Sequence, residues 1–193
     1  MNILPLILEQ NATYAKAKLS QDEHYFTTHA KAQYPTLMWI GCCDSRVSPE
    51  LLLGRDLGEI FVYRNIANTV SPNDPSLITA VEFAINGLGI EHFVICGHTE
   101  CGGLIAATAG AATGHMTSWI EDVNQTIANN KPALDQAKNP ANTLSYYHAQ
   151  IQVQNFLDLE VVRSAKEQKK NVSCYGLLFD IEKGLLEILK EQK

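Results

Sequence analysis

Positive charge is scarce in this sequence: 15 Lys and Arg stand against 21 Asp and Glu, a formal net charge of -6. No basic stripe offers itself to a phosphate backbone or an anionic bilayer, so neither nucleic acid nor a membrane surface is an expected partner. Long apolar runs are missing as well. The first, Ile3 to Leu8, is broken by Pro5 and has no basic residue before it. It is far short of the roughly 20 residues that a span or an export segment would draw on. There are no internal repeats, low-complexity tracts or Ser/Gly linkers, which predicts one domain over residues 1–193. Cysteine is sparse and odd in number, five at positions 42, 43, 96, 101 and 174. That count argues against a disulfide framework and for reduced thiols in the cytoplasm, and it turns attention to metal ligation.

What is present is an ordinary folded composition, 46% hydrophobic and 19% charged, which excludes disordered and fibrous classes. Residues 1–33 read as an N-terminal helical arm, with Ser20 and Glu23 spaced as a capping box ahead of a segment running to about Gln33. Thr36–Ile40, Ile60–Tyr63 and His92–Cys96 are apolar runs too short for helices, and Val172–Phe179 is a fourth strand candidate. Between the second and third, Asp74 as cap and Pro75 behind it open a helix that Gly87 and Gly89 close. Thr99–Ala109 and Asn142–Lys170 are read as further helices, and Asn129–Asn142, with two prolines, as a loop. Strands alternating with helices predict an α/β fold, a mostly parallel sheet covered on both faces. Ligands in such folds sit beyond the carboxyl ends of the strands.

Two clusters fall there. The first strand runs into Cys42-Cys43-Asp44-Ser45-Arg46, and the third into Gly97-His98-Thr99-Glu100-Cys101-Gly102-Gly103. On extended backbone, side chains two apart share a side, so Cys42, Asp44 and Arg46 face one point while Cys43 and Ser45 face away. His98 and Cys101, three apart at a helix start, can converge on the same point. Two thiolates and an imidazole suit zinc, with a fourth position left for water or for Asp44, the layout of a catalytic site rather than a sealed one. Cys96 and Cys174 read as core residues. Histidines 24, 29, 92, 115 and 148 have no partner at a recognisable spacing and are expected on the surface or half-buried.

Cys-x-Asp-Ser-Arg, followed by Tyr63-Arg64-Asn65-Ile66-Ala67-Asn68 and then His-x-x-Cys-Gly-Gly, resembles the β-class carbonic anhydrases, closely over Gln33 to Gly103 and more weakly over Tyr175 to Gly184. The resemblance implies one zinc per chain on Cys42, His98 and Cys101, and reversible hydration of carbon dioxide to bicarbonate by a hydroxide generated at the metal. It implies that Arg46 holds Asp44, which accepts a hydrogen bond from that hydroxide and which, when released, closes the site by binding zinc. Gln33 matches a substrate-binding glutamine and Phe61 a pocket phenylalanine. Ile66 and Phe83 would complete an apolar wall, although Phe83 falls where many members have tyrosine. The resemblance adds an antiparallel edge strand and a homodimer, or a tetramer, that builds the site across its interface. Some bacterial members carry a regulatory bicarbonate pocket of tryptophan, arginine and tyrosine. Trp39 and Arg64 match the first two, and Phe179 stands in the tyrosine's place without its hydroxyl. The competing readings are hydrolysis of carbon disulfide or carbonyl sulfide on the same fold, a zinc-stabilised binding module, and a thiol redox protein, the last disfavoured because Cys42 and Cys43 are adjacent.

Overall fold

The computed structural model describes residues 2–189, and the chain divides into two units, Met1–Tyr34 and Pro35–Lys193. The first holds α1 (Leu4–Gln21) and α2 (Tyr25–His29). Pro5 sits in the first turn of α1, where its missing N–H costs nothing. The expected capping box does not form. Ser20 lies inside the last turn of α1 with Oγ donating to the Ala17 carbonyl at 2.7 Å. Asp22 instead turns the chain, its Oδ1 accepting the His24 N–H at 2.8 Å. The second helix therefore starts at Tyr25 and ends at His29, short of Gln33. Tyr25 stacks edge-on against Phe26 at 4.9 Å, with Lys18 Nζ 4.8 Å above its ring.

The second unit is built on five strands, β1 (Leu37–Cys42), β2 (Ile60–Asn65), β3 (His92–His98), β4 (Ser173–Asp180) and β5 (Leu185–Ile188), in the order β2-β1-β3-β4-β5. Pairings along β2-β1-β3-β4 are parallel, and β5 returns antiparallel to β4. The mostly parallel sheet with an antiparallel edge is thus as expected, and β1 runs two residues further than its apolar core, carrying Cys42 on the end of the strand. Seven helices follow the strands: α3 (Pro49–Leu53), α4 (Pro75–Asn86), α5 (Gly102–Thr108), α6 (His115–Trp119), α7 (Glu121–Gln136), α8 (Pro140–Asp158) and α9 (Glu160–Glu167).

Period-two alternation sorts β1 onto two faces. Met38 and Ile40 join Phe93, Ile95, Val81 and Phe156 in the largest core, under α4, α8 and α9. Trp39 joins Val94, Cys96, Val47 and Phe179 on the opposite face. Rings of Phe93 and Phe156 meet at 4.9 Å, and truncating one such buried ring costs about 3–5 kcal/mol. The α4 start follows its sequence signal: Asp74 Oδ1 accepts the Ser76 and Leu77 N–H groups at 3.0 and 3.2 Å. Gly97, next to His98, has a packing reason. A Cβ there would lie 3.0 Å from Ala149 Cβ and 3.3 Å from the Ser145 carbonyl, so α8 crosses the sheet in contact with bare backbone.

Three expectations are corrected. The helix expected over Thr99–Ala109 spans only Gly102–Thr108, because Thr99 and Glu100 form a turn between β3 and α5. Residues 129–136 are the second half of α7 rather than loop, with Pro132 inside the helix, because burial of Val123 and Leu134 outweighs the proline. The single helix over Asn142–Lys170 is broken at Leu159, whose backbone is extended (φ -56°, ψ 135°) and whose side chain enters the core.

Candidate metal centre

Cys42 ends β1, His98 ends β3 and Cys101 precedes the first turn of α5. Among the described residues these three form the group able to hold a metal ion, their donor atoms all within 4.8 Å of one another. Cys42 Sγ and Cys101 Sγ are 4.0 Å apart, and all three residues are buried. His98 Nδ1 faces the Thr99 carbonyl at 2.8 Å and must donate to it, which leaves the lone pair on Nε2. That Nε2 is buried without a hydrogen-bond partner. The Cys42 thiol is drawn down, chiefly by hydrogen bonding from Cys101, whose own thiol the same contact drives up. Two thiols this close cannot both ionise without a cation between them, and two sulfurs with an orphaned imidazole nitrogen fit zinc.

The facing argument is visible in the backbone. The Cys43 N–H donates to the Asn65 carbonyl at 2.8 Å, so the parallel ladder continues one residue past Cys42. Cys43 is exposed on the side away from the buried pair.

Asp44 is gripped at both oxygens: Arg46 Nε donates to Oδ1 at 2.9 Å and Nη2 to Oδ2 at 2.7 Å, and the Arg46 N–H adds a bond to Oδ1 at 2.9 Å. Hydrogen bonding from Arg46 holds the carboxyl well below the usual carboxylate range. Its Oδ2 stands 3.9 Å from His98 Nε2. The Arg64 guanidinium braces this loop from beneath, Nε on the Cys42 carbonyl at 2.8 Å and Nη2 on the Asp44 carbonyl at 2.6 Å.

The turn after β2 is part of the site although no local signal marks it. Ala67 and Asn68 are both left-handed, φ 62° and 49°. Trp119 Nε1 donates to the Ile66 carbonyl at 2.9 Å, and His148 Nε2 to the Ala67 carbonyl at 3.0 Å. His148, expected at or near the surface, is fully buried. Burial draws its pKa down to about 4, and Gln152 Nε2 lies 3.4 Å from its Nδ1. It was missed because polar residues buried on α8 leave no apolar stripe there. Ile66 closes on the start of α5, where a Cβ on Gly103 would come within 2.8 Å of Ile66 Cγ2.

The remaining expected residues are spread more widely. Phe61 on β2 and Phe83 on α4 face each other at 6.0 Å, Phe83 half exposed. Gln33 lies exposed in the N-terminal unit, after α2. Trp39 and Phe179 share the core on the other sheet face, and Trp39 Nε1 is buried without a partner. Glu100, whose carbonyl accepts Arg46 Nη2, is held in turn by Asn139 and Asn142, and the sequence marks none of the three for such a role. Of these, Asn139 before Pro140 was legible as a helix cap.

The family model for carbonic anhydrase matches residues 37–186 of this chain. The chain belongs to the carbonic anhydrase family. A carbonic anhydrase of Emericella nidulans is 31% identical over 186 residues, 95% of this chain and 82% of that one. One of Pseudomonas aeruginosa is 33% identical, covering 85% and 77%. Among solved structures, a tetrameric β-carbonic anhydrase of Sordaria macrospora superposes with TM-score 0.93 at 30% identity, over 99% and 98% of the two chains. A Coccomyxa β-carbonic anhydrase in complex with acetazolamide gives 0.91 at 31%, over 98% and 87%. These matches place the chain in the β-class. It is a zinc-dependent lyase that interconverts carbon dioxide and bicarbonate.

Proposed function

We propose that Cys42, His98 and Cys101 hold one zinc ion per chain, and that Asp44 and Arg46 direct carbon dioxide hydration beside it. The observation that carries this reading is the clamped carboxylate, with Asp44 Oδ2 2.7 Å from Arg46 Nη2 and 3.9 Å from His98 Nε2. A sealed structural site has no use for such a pair. Zinc, when bound, supplies a Lewis acid that lowers the pKa of a coordinated water from about 15.7 to about 7. Arg46 keeps Asp44 ionised, so Oδ2 can only accept a hydrogen bond, and the carboxylate would orient an attacking O–H group by accepting its hydrogen bond. Ile66, with Phe61 and Phe83, provides apolar surface suited to carbon dioxide. Gln33 is assigned as donor to the forming bicarbonate by its motif.

The test is stopped-flow hydration across pH alongside bound-zinc analysis. One zinc per chain and a rate rising through the neutral range are expected; a zinc-loaded protein without hydration activity would refute the reading.

Self-association is the second part of the proposal. Leu51, Phe83 and Ile66 are 83%, 50% and 43% exposed near the β2 edge of the sheet, an apolar surface suited to a second copy. We assign a homodimer as the minimal unit, with a tetramer as in the Sordaria relatives as the larger assembly. Residues 1–193 then act as one catalytic domain with residues 1–33 as its arm. Two ligand thiols must stay reduced, which supports the cytoplasm; no described helix is long and apolar enough to cross a membrane.

A regulatory bicarbonate pocket around Trp39 and Arg64 has support in the unpartnered Trp39 Nε1. Phe179 lacks the hydroxyl, and losing one bond to an anion weakens affinity by about ten- to a hundredfold. Bicarbonate is therefore expected to inhibit weakly, and Phe179→Tyr to strengthen inhibition and push the activity profile to higher pH. Superimposed inhibition curves at fixed pH would show that the hydroxyl does not control the switch.

A further inference from the structure

Glu100 stands between two ligands, His98 and Cys101, in a left-handed conformation with φ 55°. A residue with a Cβ adopts that shape only when something holds it there. The holder comes from 42 residues away. Asn142, in the first turn of α8, accepts the Glu100 N–H on Oδ1 at 2.7 Å and donates from Nδ2 to Glu100 Oε1 at 2.9 Å. Asn139 donates from Nδ2 to the same Oε1 at 3.0 Å, while its own Oδ1 accepts the Asn142 N–H at 3.0 Å. The polarity of the clasp is unambiguous, since a backbone N–H can only donate and a carboxylate only accept.

The Glu100 carbonyl, set by this turn, accepts Arg46 Nη2 at 2.9 Å. Among the described residues, Asp44 and this carbonyl are the hydrogen-bond partners of the guanidinium. The Arg46 side chain is 50% exposed, so water competes for its donors and a fixed anchor decides where they point. Released, Asp44 would have an oxygen within reach of the metal position, because Oδ2 is already 3.9 Å from His98 Nε2.

We propose that Asn142 is a positioning residue: by clasping Glu100 it fixes the carbonyl that anchors Arg46, and so sets how firmly Asp44 is kept off the metal. This rests on the reading of Asp44 and Arg46 given above. Asn142→Asp keeps the acceptor for the Glu100 N–H but sets a carboxylate against Glu100 Oε1. The clasp then opens, and the equilibrium shifts toward Asp44 as an internal ligand that competes with external ones. Asn142→Asp combined with Glu100→Gln restores the Asn142 arm with donor and acceptor exchanged, the Gln amide N–H donating to the new carboxylate, while the Asn139 arm, which converges on the same side-chain atom, is given up.

The experiment titrates the full-length cobalt(II)-substituted protein with azide, followed by its visible spectrum, and measures kcat and KM of the zinc protein. For Asn142→Asp, azide affinity and kcat are each expected to fall about tenfold with KM unchanged, and the double substitution to recover part of both. Asn142→Ala carries the same expectation for the single change if Asn142→Asp does not fold. Arg46→Ala separates the two ideas. If it shifts azide binding and kcat while the Asn142 variants shift neither, the clasp is overturned and the dyad stands. If the double substitution recovers none of the Asn142 loss, the clasp is likewise overturned. If Arg46→Ala itself shifts neither, the reading of Asp44 and Arg46 fails, and the clasp with it.

Discussion

Replacing Arg46 with alanine is expected to leave zinc in place and to remove hydration rate by about a hundredfold or more, the scale of losing one preorganised electrostatic group in an active site. The guanidinium is not part of the group that could hold the metal. It makes three bonds that matter here, two to the Asp44 carboxylate and one to the Glu100 carbonyl. Without it Asp44 keeps only the backbone N–H of residue 46 on Oδ1, and Oδ2 is free to turn. Zinc content and rate should therefore separate, which metal analysis and stopped-flow measurement on the same preparation will read. Arg46→Lys tests the geometry rather than the charge, since an ammonium cannot bind both carboxylate oxygens in the planar fork. Equal rates for Arg46→Ala and the parent would discard the dyad.

Cys42→Ser, His98→Ala and Cys101→Ser are each expected to abolish hydration and to weaken zinc by more than the roughly 10–100-fold that changes to outer-shell partners cost. Cys43→Ser should change neither. The contrast between adjacent cysteines is sharp because the strand decides it: Cys42 is buried with its sulfur 4.0 Å from that of Cys101, while Cys43 is exposed. Zinc lost from Cys43→Ser and retained by Cys42→Ser would show the facing to be reversed. Chelator competition gives the affinities, and the comparison is made on protein purified with equal zinc supplied.

The parts of this site that could be read from sequence are those governed by a local period. Alternation along β1 assigned Cys42 and Asp44 to one side and Cys43 to the other, and Asp74-Pro75 marked the start of α4. Boundaries failed where tertiary burial overrode local preference. Pro132 and the polar residues around it suggest a loop, yet Val123 and Leu134 are buried and hold α7 straight through it. Leu159 looks like one more apolar residue in a long helix, but burying it requires an extended residue between α8 and α9. Asn142 and His148 escaped for a different reason. Their partners, Glu100 and Ala67, are 42 and 81 positions away, and pairs so remote leave no spacing to recognise in a single chain.

The left-handed pair Ala67–Asn68 shows how the metal-binding group is held. Each such residue costs about 1–2 kcal/mol, and protein bonds offset that cost, from His148 to Ala67 and from Trp119 to Ile66. Cys42 is likewise fixed by strand pairing and Arg64, and Cys101 by the turn at Glu100. The three metal-binding side chains are thus tied to β1, β3, the turn after β2 and the start of α8, elements far apart in sequence, so a substitution in α8 reaches the sulfurs although no residue of α8 belongs to the group.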